Sequence, residues 1–326
     1  MRPSFFGPGR VRLAIVLVLA ALFCLTAAHA PGADRKVRRV AMILFRGETP
    51  SEQGFRDTIH ASRDFLVRCR TFNAGQSQER LREIMAVIDP SQYDLIYTFG
   101  TMATQSAMER IKGVPIVYNV VQRPVEAGII RSWGDSGNNV TGASNIVATE
   151  SAFRALTLVM SIRKLGLIYN DQDPASLIQR GEVEKLQKKY GFRIFDMPVR
   201  DRESISGAIG LGVSAKVDAV LLPADSFVKA NAGAIVSSLN EHRIPTIAMI
   251  PEMVSENGAL ISLGPDYYEL GQLAARNALE VLGGKRPAEV PSQTVRTLHL
   301  CINLRTADRL GIIFPLQLLS MAAVVR

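Results

Sequence analysis

Residues 258–312 read GALISLGPDYYELGQLAARNALEVLGGKRPAEVPSQTVRTLHLCINLRTADRLGI. A short apolar strand, Ala259 to Leu263, passes through Gly264-Pro265 into a long helix. Gly283-Gly284 ends that helix, Pro287 follows, and a second extended stretch runs from Thr294 to Ile302. Glycine just past a helical pattern and proline soon after it are stop signals. Strand, long helix and extended return in this order are how a chain re-crosses between two α/β lobes.

The segments upstream supply those lobes. Strands are expected at Arg39–Phe45, Phe65–Phe72, Asp94–Phe99 and Pro115–Asn119, with helices near Ser51–Arg63, Gln76–Ile88 and Thr101–Arg110. The strands are continuous apolar runs, as a parallel sheet covered on both faces requires. A stretch rich in Gly, Asn and Ser, 134–145, interrupts the alternation. It restarts with strands at Lys164–Tyr169, Phe192–Pro198, Asp218–Leu222 and Ile244–Ile250, and helices near Glu150–Met160, Ala175–Tyr190, Arg202–Val213 and Phe227–His242. The expected fold is α/β: two Rossmann-like lobes with parallel sheets and a ligand cleft between them. The first lobe is assigned 37–123 plus about 264–290, the second about 124–263 plus 291–326.

The first 30 residues read as a secretory signal peptide. Arg2, Arg10 and Arg12 precede an apolar run from Leu13 to Ala28, and Ala28-His29-Ala30 offers a small-x-small cleavage site. The run is shorter than the ~20 residues of a spanning helix. The leader implies export to the periplasm. The whole chain carries +8, and the three leader arginines leave +5 on the rest, much of it in Arg35-Lys36-Val37-Arg38-Arg39. No basic helix is interleaved with aromatics, so nucleic acid is not an expected partner. Cys69 and Cys301 both sit in apolar, strand-like runs and read as buried free thiols.

Motifs of covalent and metal chemistry are missing. There is no GxSxG, HExxH, CxxC, P-loop or GxGxxG after a strand, and the four histidines lack metal spacing. Asp171 and Asp173 could open a calcium loop, but Ser176 stands where its glycine belongs and Pro174 intervenes, so a solvated turn is the reading. No enzyme, cofactor or metal is expected.

In open parallel sheets ligands bind beyond the carboxyl ends of the strands. The residues placed there are Arg46, Glu48, Gly100, Thr101, Asn119, Gln122, Arg123, Tyr169, Asn170, Asp225 and Ser226. Arg46 and Arg123 could hold an anion by charge-assisted hydrogen bonds, or each could form an interlobe salt bridge or stand as a solvated loop arginine. Gly100-Thr101 opens a helix whose free N–H groups suit an anion. Asp225 either faces the cleft or caps the helix from Ser226. Asn119 and Asn170 could cap or shape turns instead, and Tyr118 and Tyr169 could stack on a ligand or pack in the core.

Several segments resemble the family of ABC-transporter substrate-binding proteins that includes tryptophan- and tyrosine-binding members. They are Asp94 to Ala103, with its strand and Gly-Thr turn, Val114 to Tyr118 with Pro124 to Gly128 and Asn139 to Ser144, and Leu165 to Asn170. The tail matches best, with Asp266 to Gly271, Ile302 to Ala307 and Gly311 to Pro315. The resemblance spans roughly 38–320. It implies a type I periplasmic-binding-protein-like monomer that captures a small polar solute, an amino acid or carboxylate, and docks transiently on a membrane permease. A sensory role feeding a receptor kinase or chemoreceptor is the alternative. Where the family usually has Asp-Pro after the fourth strand, this chain has Arg123-Pro124, which removes an acid that would hold an ammonium group.

Overall fold

A computed structural model describes residues 35–145 and 149–325. The leader and its cleavage site lie outside the described residues. In chain order the first elements are β1 (Lys36–Leu44), α1 (Pro50–His60), β2 (Phe65–Asn73), α2 (Gln78–Val87), β3 (Leu95–Phe99), α3 (Thr101–Arg110), β4 (Ile116–Val121) and β5 (Val140–Ser144). Then come α4 (Thr149–Thr157), β6 (Lys164–Tyr169), α5 (Pro174–Tyr190), β7 (Arg193–Pro198), α6 (Arg202–Ala215), β8 (Ala219–Leu222), α7 (Ser226–Ala230), α8 (Ala232–Glu241) and β9 (Thr246–Ala248). The remainder is α9 (Glu252–Ser255), β10 (Ile261–Pro265), α10 (Tyr267–Leu282), β11 (Gln293–Thr294), β12 (Leu298–Asn303), α11 (Leu304–Leu310), α12 (Leu316–Leu319) and β13 (Ala322–Val325).

Two sheets result. The first has order β11-β5-β4-β3-β1-β2 and is parallel throughout. The second has order β13-β12-β10-β9-β8-β6-β7 and is parallel except where β10 meets β12. The architecture is the expected two-lobe α/β fold, with helices on both faces of each sheet. Val40 to Leu44 of β1 are fully buried, the physical content of their unbroken apolar run.

Three sequence assignments change. The division at residue 124 does not follow the sheets, because Val140 of β5 pairs with Ile116 of β4 and keeps 140–144 in the first sheet. The Gly-rich loop therefore returns to its own sheet, and the crossing comes after Ser144. Trp133 lies in this loop, and its carbonyl accepts the Ser292 N–H beside β11. The extended stretch 294–302 is two strands, β11 in the first sheet and β12 in the second. The helix expected over 227–242 breaks at Asn231 into α7 and α8. Cys69 and Cys301 are free and stand in different sheets, Cys301 buried and Cys69 half-buried.

Local chemistry sets the helix starts that matter later. Thr49 opens α1 with a capping box: its side chain accepts the Ser51 N–H, Glu52 accepts the Thr49 N–H, and Pro50 takes the first turn. Asp173 caps α5 by accepting the Ala175 N–H, with Pro174 in the first turn. Helix α10 returns the chain to the first lobe and packs tightly on α1. A Cβ on Gly271 would stand 1.9 Å from the Ser51 carbonyl oxygen, and one on Gly54 2.2 Å from that of Tyr268. Both obstacles are backbone and cannot rotate away. Gly271→Ala should therefore lower stability by about 3 kcal/mol, the upper part of the overpacking range, read as a fall in thermal midpoint. An unchanged midpoint would mean that the helices part without cost.

Candidate functional site

The carboxyl ends of both sheets face one narrow cavity of about 20 Å³, room for about one water molecule. The first lobe contributes Arg46 after β1, Gly100 and Thr101 after β3, and Gln122 after β4. The second contributes Asp173 at the start of α5 and Ser226 at the start of α7. Phe45, Phe99 and Tyr267 give it aromatic walls.

Arg46 is held by aromatic faces. Its guanidinium carbon lies 4.7 Å from the Phe99 ring centroid and 5.4 Å from that of Tyr267, within reach of the ring quadrupoles. Its Nε is buried and has no hydrogen-bond partner among the described residues, and the same is true of Thr101 Oγ1. Gly100 caps α3 at φ +84, where an L side chain is strained, and offers no side-chain oxygen to the first turn. Free N–H groups and an arginine thus converge where an anion would be stabilised. Burial pushes the Tyr267 phenol up to about 12, so it stays a neutral donor.

The opposite wall carries an acid. Asp173 is 7% exposed and accepts the Ala175 N–H at 2.9 Å. Burial pushes its carboxyl up to about 7, the neighbouring Asp225 adds to the rise, and Arg46 opposes it. Asp225 accepts the Asn170 N–H at 2.8 Å, the Ser176 hydroxyl at 2.5 Å and the Val228 N–H at 2.9 Å. With one hydrogen bond against three, Asp173 is the member of the pair that takes up a proton. The solvated turn expected at 171–173 is corrected on this point: Asp173 is a buried cap on the cavity wall. Its signal was present as Asp-Pro four residues after an apolar strand.

The structure brings Arg46, Gly100, Thr101, Gln122 and Ser226 together and takes the other candidates elsewhere. Asn119 is fully buried, donating to Ser51 Oγ at 2.7 Å and to the Tyr97 hydroxyl at 3.0 Å, while Tyr97 donates to Glu52 at 2.6 Å. A β-bulge between Asn119 and Val121, with Val120 at φ +53, re-aims the strand end and puts Val120 and Gln122 on the wall instead. A β-branched residue at positive φ is a strained conformation of the kind that clusters at ligand clamps. Arg123 pairs with Glu126 at 3.5 Å and with Glu182 of α5, so it bridges the lobes and does not line the cavity. Gln122 also crosses, its Nε2 standing 3.5 Å from the Ala224 carbonyl. Tyr169 packs in the core of the second lobe, Asn170 closes a turn onto the Gln172 N–H, and Asp225 is a buried helix cap. Glu48 is exposed and pairs with Arg56 at 2.5 Å. Sequence reasoning missed Phe45, Phe99, Asp173 and Tyr267.

The family profile of ABC transporter substrate-binding proteins matches residues 52–326. The chain belongs to that family. As an ABC-transporter substrate-binding protein it is extracytoplasmic by family, captures a small solute for transport, and is not an enzyme. It is 30% identical over 260 residues to a tyrosine-binding protein of Clostridioides difficile (strain R20291), covering 79% of this chain and 73% of the relative. Among solved structures, an ABC domain from Streptococcus pneumonia in complex with L-Trp aligns with TM-score 0.83 at 22% identity, over 89% of this chain and 100% of that one. The ligand-free, open structure of a substrate-binding protein with adhesive properties from Clostridium difficile aligns with TM-score 0.66 at 22% identity, over 89% and 99%.

Proposed function

We propose that this substrate-binding protein captures a free amino acid with an apolar or aromatic side chain and presents it, as a periplasmic monomer, to a membrane permease. One observation carries the reading: a cation on one lobe, Arg46, and an acid on the other, Asp173, face the same narrow cavity. Arg46, with Thr101 and the open first turn of α3, suits an α-carboxylate. Asp173 suits an α-ammonium group. Phe45, Phe99 and Tyr267 suit an apolar side chain. The loss of the family's acid at Arg123 then has a remedy, since the acid comes from the second lobe. The tyrosine- and L-Trp-binding neighbours support the same class, and the leader supports export. Closure is favoured because each charge of the ligand touches a different lobe, so only the closed form satisfies both.

A thermal-shift screen of residues 31–326 against the twenty amino acids, followed by calorimetry, tests this. An amino acid should raise the midpoint by mass action, and its des-amino analogue should not. Equal binding of the des-amino acid would remove Asp173 from the reading, and no response to any amino acid would overturn it.

Arg123 has a smaller part here. Its side chain is 45% exposed, and exposed ion pairs contribute roughly 1 kcal/mol or less. Arg123→Ala should weaken binding no more than about fivefold by calorimetry. A twentyfold loss would mean that Arg123 touches the ligand.

A further inference from the structure

One corner of the first sheet is bare and basic. β2 forms the edge of that sheet and pairs with β1. Side chains alternate between the two faces along a strand. On one face Val40, Met42 and Leu44 of β1 and Val67 of β2 enter the core that holds α1 and α10. On the other, Ala41 and Ile43 join Leu81, Ile84 and Met85 of α2 in a separate core. Nearer the amino ends that second face is uncovered: Val37 and Arg39 of β1 and Leu66, Arg68 and Arg70 of β2 are all exposed. The register sets Val37 beside Leu66 and Arg39 beside Arg68. Neighbouring strands lie about 4.8 Å apart, so Arg39 and Arg68 are like charges in adjacent positions, with Arg70 two residues on. None of the three forms an ion pair among the described residues. The Arg70 guanidinium carbon lies 5.0 Å from the Phe72 ring centroid, which holds it against the surface. The acids just before β2 and β3 are Asp64 and Asp94, and Asp94 is taken by the Arg38 side chain at 2.9 Å and the Arg39 N–H at 2.8 Å. The face keeps a net positive charge.

We propose that this face docks on the anionic phospholipid head groups of the membrane that carries the permease. Clustered cations without counter-charges repel one another, and phosphate groups remove that cost. The planar guanidinium matches a phosphate by paired, charge-assisted hydrogen bonds. Val37 and Leu66, side by side next to the arginines, suit the same boundary, where apolar side chains enter between head groups while cations meet the phosphates. Charge on an edge strand also deters pairing with another sheet, but that purpose accounts for Arg68 and Arg70 of β2 and not for Arg39 on the interior strand β1. The family's role in transport brings the protein to a membrane. The face stands at the amino ends of the strands and the cavity at their carboxyl ends, so this contact leaves the cavity free. It would concentrate the protein where the permease is, and it does not depend on which solute the cavity takes.

The test is co-sedimentation of residues 31–326 with phosphatidylcholine vesicles, with and without phosphatidylglycerol. Wild type should bind the anionic vesicles roughly tenfold more tightly or better, and high salt should abolish the difference by screening. Arg39→Gln/Arg68→Gln/Arg70→Gln should lose most of the preference. Arg82→Gln/Arg243→Gln/Arg309→Gln removes the same charge from exposed positions elsewhere and should keep it. Equal binding to both vesicle types would overturn the proposal. So would equal losses in the two triple variants, which would leave only the net charge of the whole chain as the cause. Binding of polyglutamate as tight as that of the anionic vesicles would assign the face to an acidic protein surface and overturn the lipid reading. Thermal midpoints report whether the variants fold. If the first triple variant does not, Arg68→Gln alone, at the sheet edge, must still weaken vesicle binding about fivefold, and an unchanged affinity would overturn the proposal.

Discussion

Arg46→Ala should weaken amino-acid binding at least a hundredfold. A hydrogen bond to a charged group contributes about 1.5–3 kcal/mol, and Arg46 can offer more than one to a carboxylate. Each ~1.4 kcal/mol is a factor of ten in affinity, so two such bonds account for the loss. The variant also leaves the ligand's carboxylate beside the aromatic rings with no counter-charge. Arg46→Lys should fall between wild type and alanine, since it keeps the charge and loses the planar contact with Phe99 and Tyr267. The unliganded protein should melt somewhat below wild type, because Arg46→Ala also removes the guanidinium's contacts with the Phe99 and Tyr267 rings. Calorimetry reads the affinity, and a loss below threefold in Arg46→Ala would remove Arg46 from the site.

The second large effect is on pH. Asp173 is held protonated up to about 7 by burial and by Asp225. An α-ammonium group needs it ionised. Below that pH binding must expel a proton, so affinity should fall, approaching tenfold per pH unit, and should level off above it. Asp173→Asn should bind weakly and show no slope between about pH 5.5 and 8. A slope that persists in Asp173→Asn would assign the titration to another group. The stability of the unliganded protein runs as the raised acid requires. Between the ordinary aspartate range and about 7 the folded state keeps a proton that the unfolded chain has released. Stability therefore falls as pH rises through that window, and Asp173→Asn should flatten that fall in the thermal midpoint.

Much of this molecule was legible before its structure. Helix α3 over Thr101–Arg110 and strand β6 over Lys164–Tyr169 stand at the boundaries read from periodicity, because a cap, a glycine or the end of an apolar run is local information. The rule that ligand residues follow parallel strands found Arg46, Gly100, Thr101, Gln122 and Ser226. The same rule named Asn119 and Asp225, which follow strands equally well but are buried, and Asn170, whose side chain closes a local turn. The side chains of Asn119 and Asp225 are claimed by partners far off in sequence: Ser51 lies 68 positions from Asn119, and the Asn170 N–H that Asp225 accepts lies 55 positions away. No window on the chain contains both members of such a pair.

By itself, then, the sequence determined the alternation of strands and helices, the two-lobe architecture and the family, since these rest on short-range patterning and on the order of many weak signals. The tertiary structure decided which sheet β5 and β11 join, which polar side chains are structural, and that an acid from the second lobe opposes Arg46. The reason is physical. A strand's sheet depends on the edge that accepts its hydrogen bonds, and a polar side chain's role depends on whether a buried partner satisfies it. Asp173 shows this most clearly: the same Asp-Pro turn is solvated in isolation and becomes a buried, proton-binding wall only when two lobes close over it.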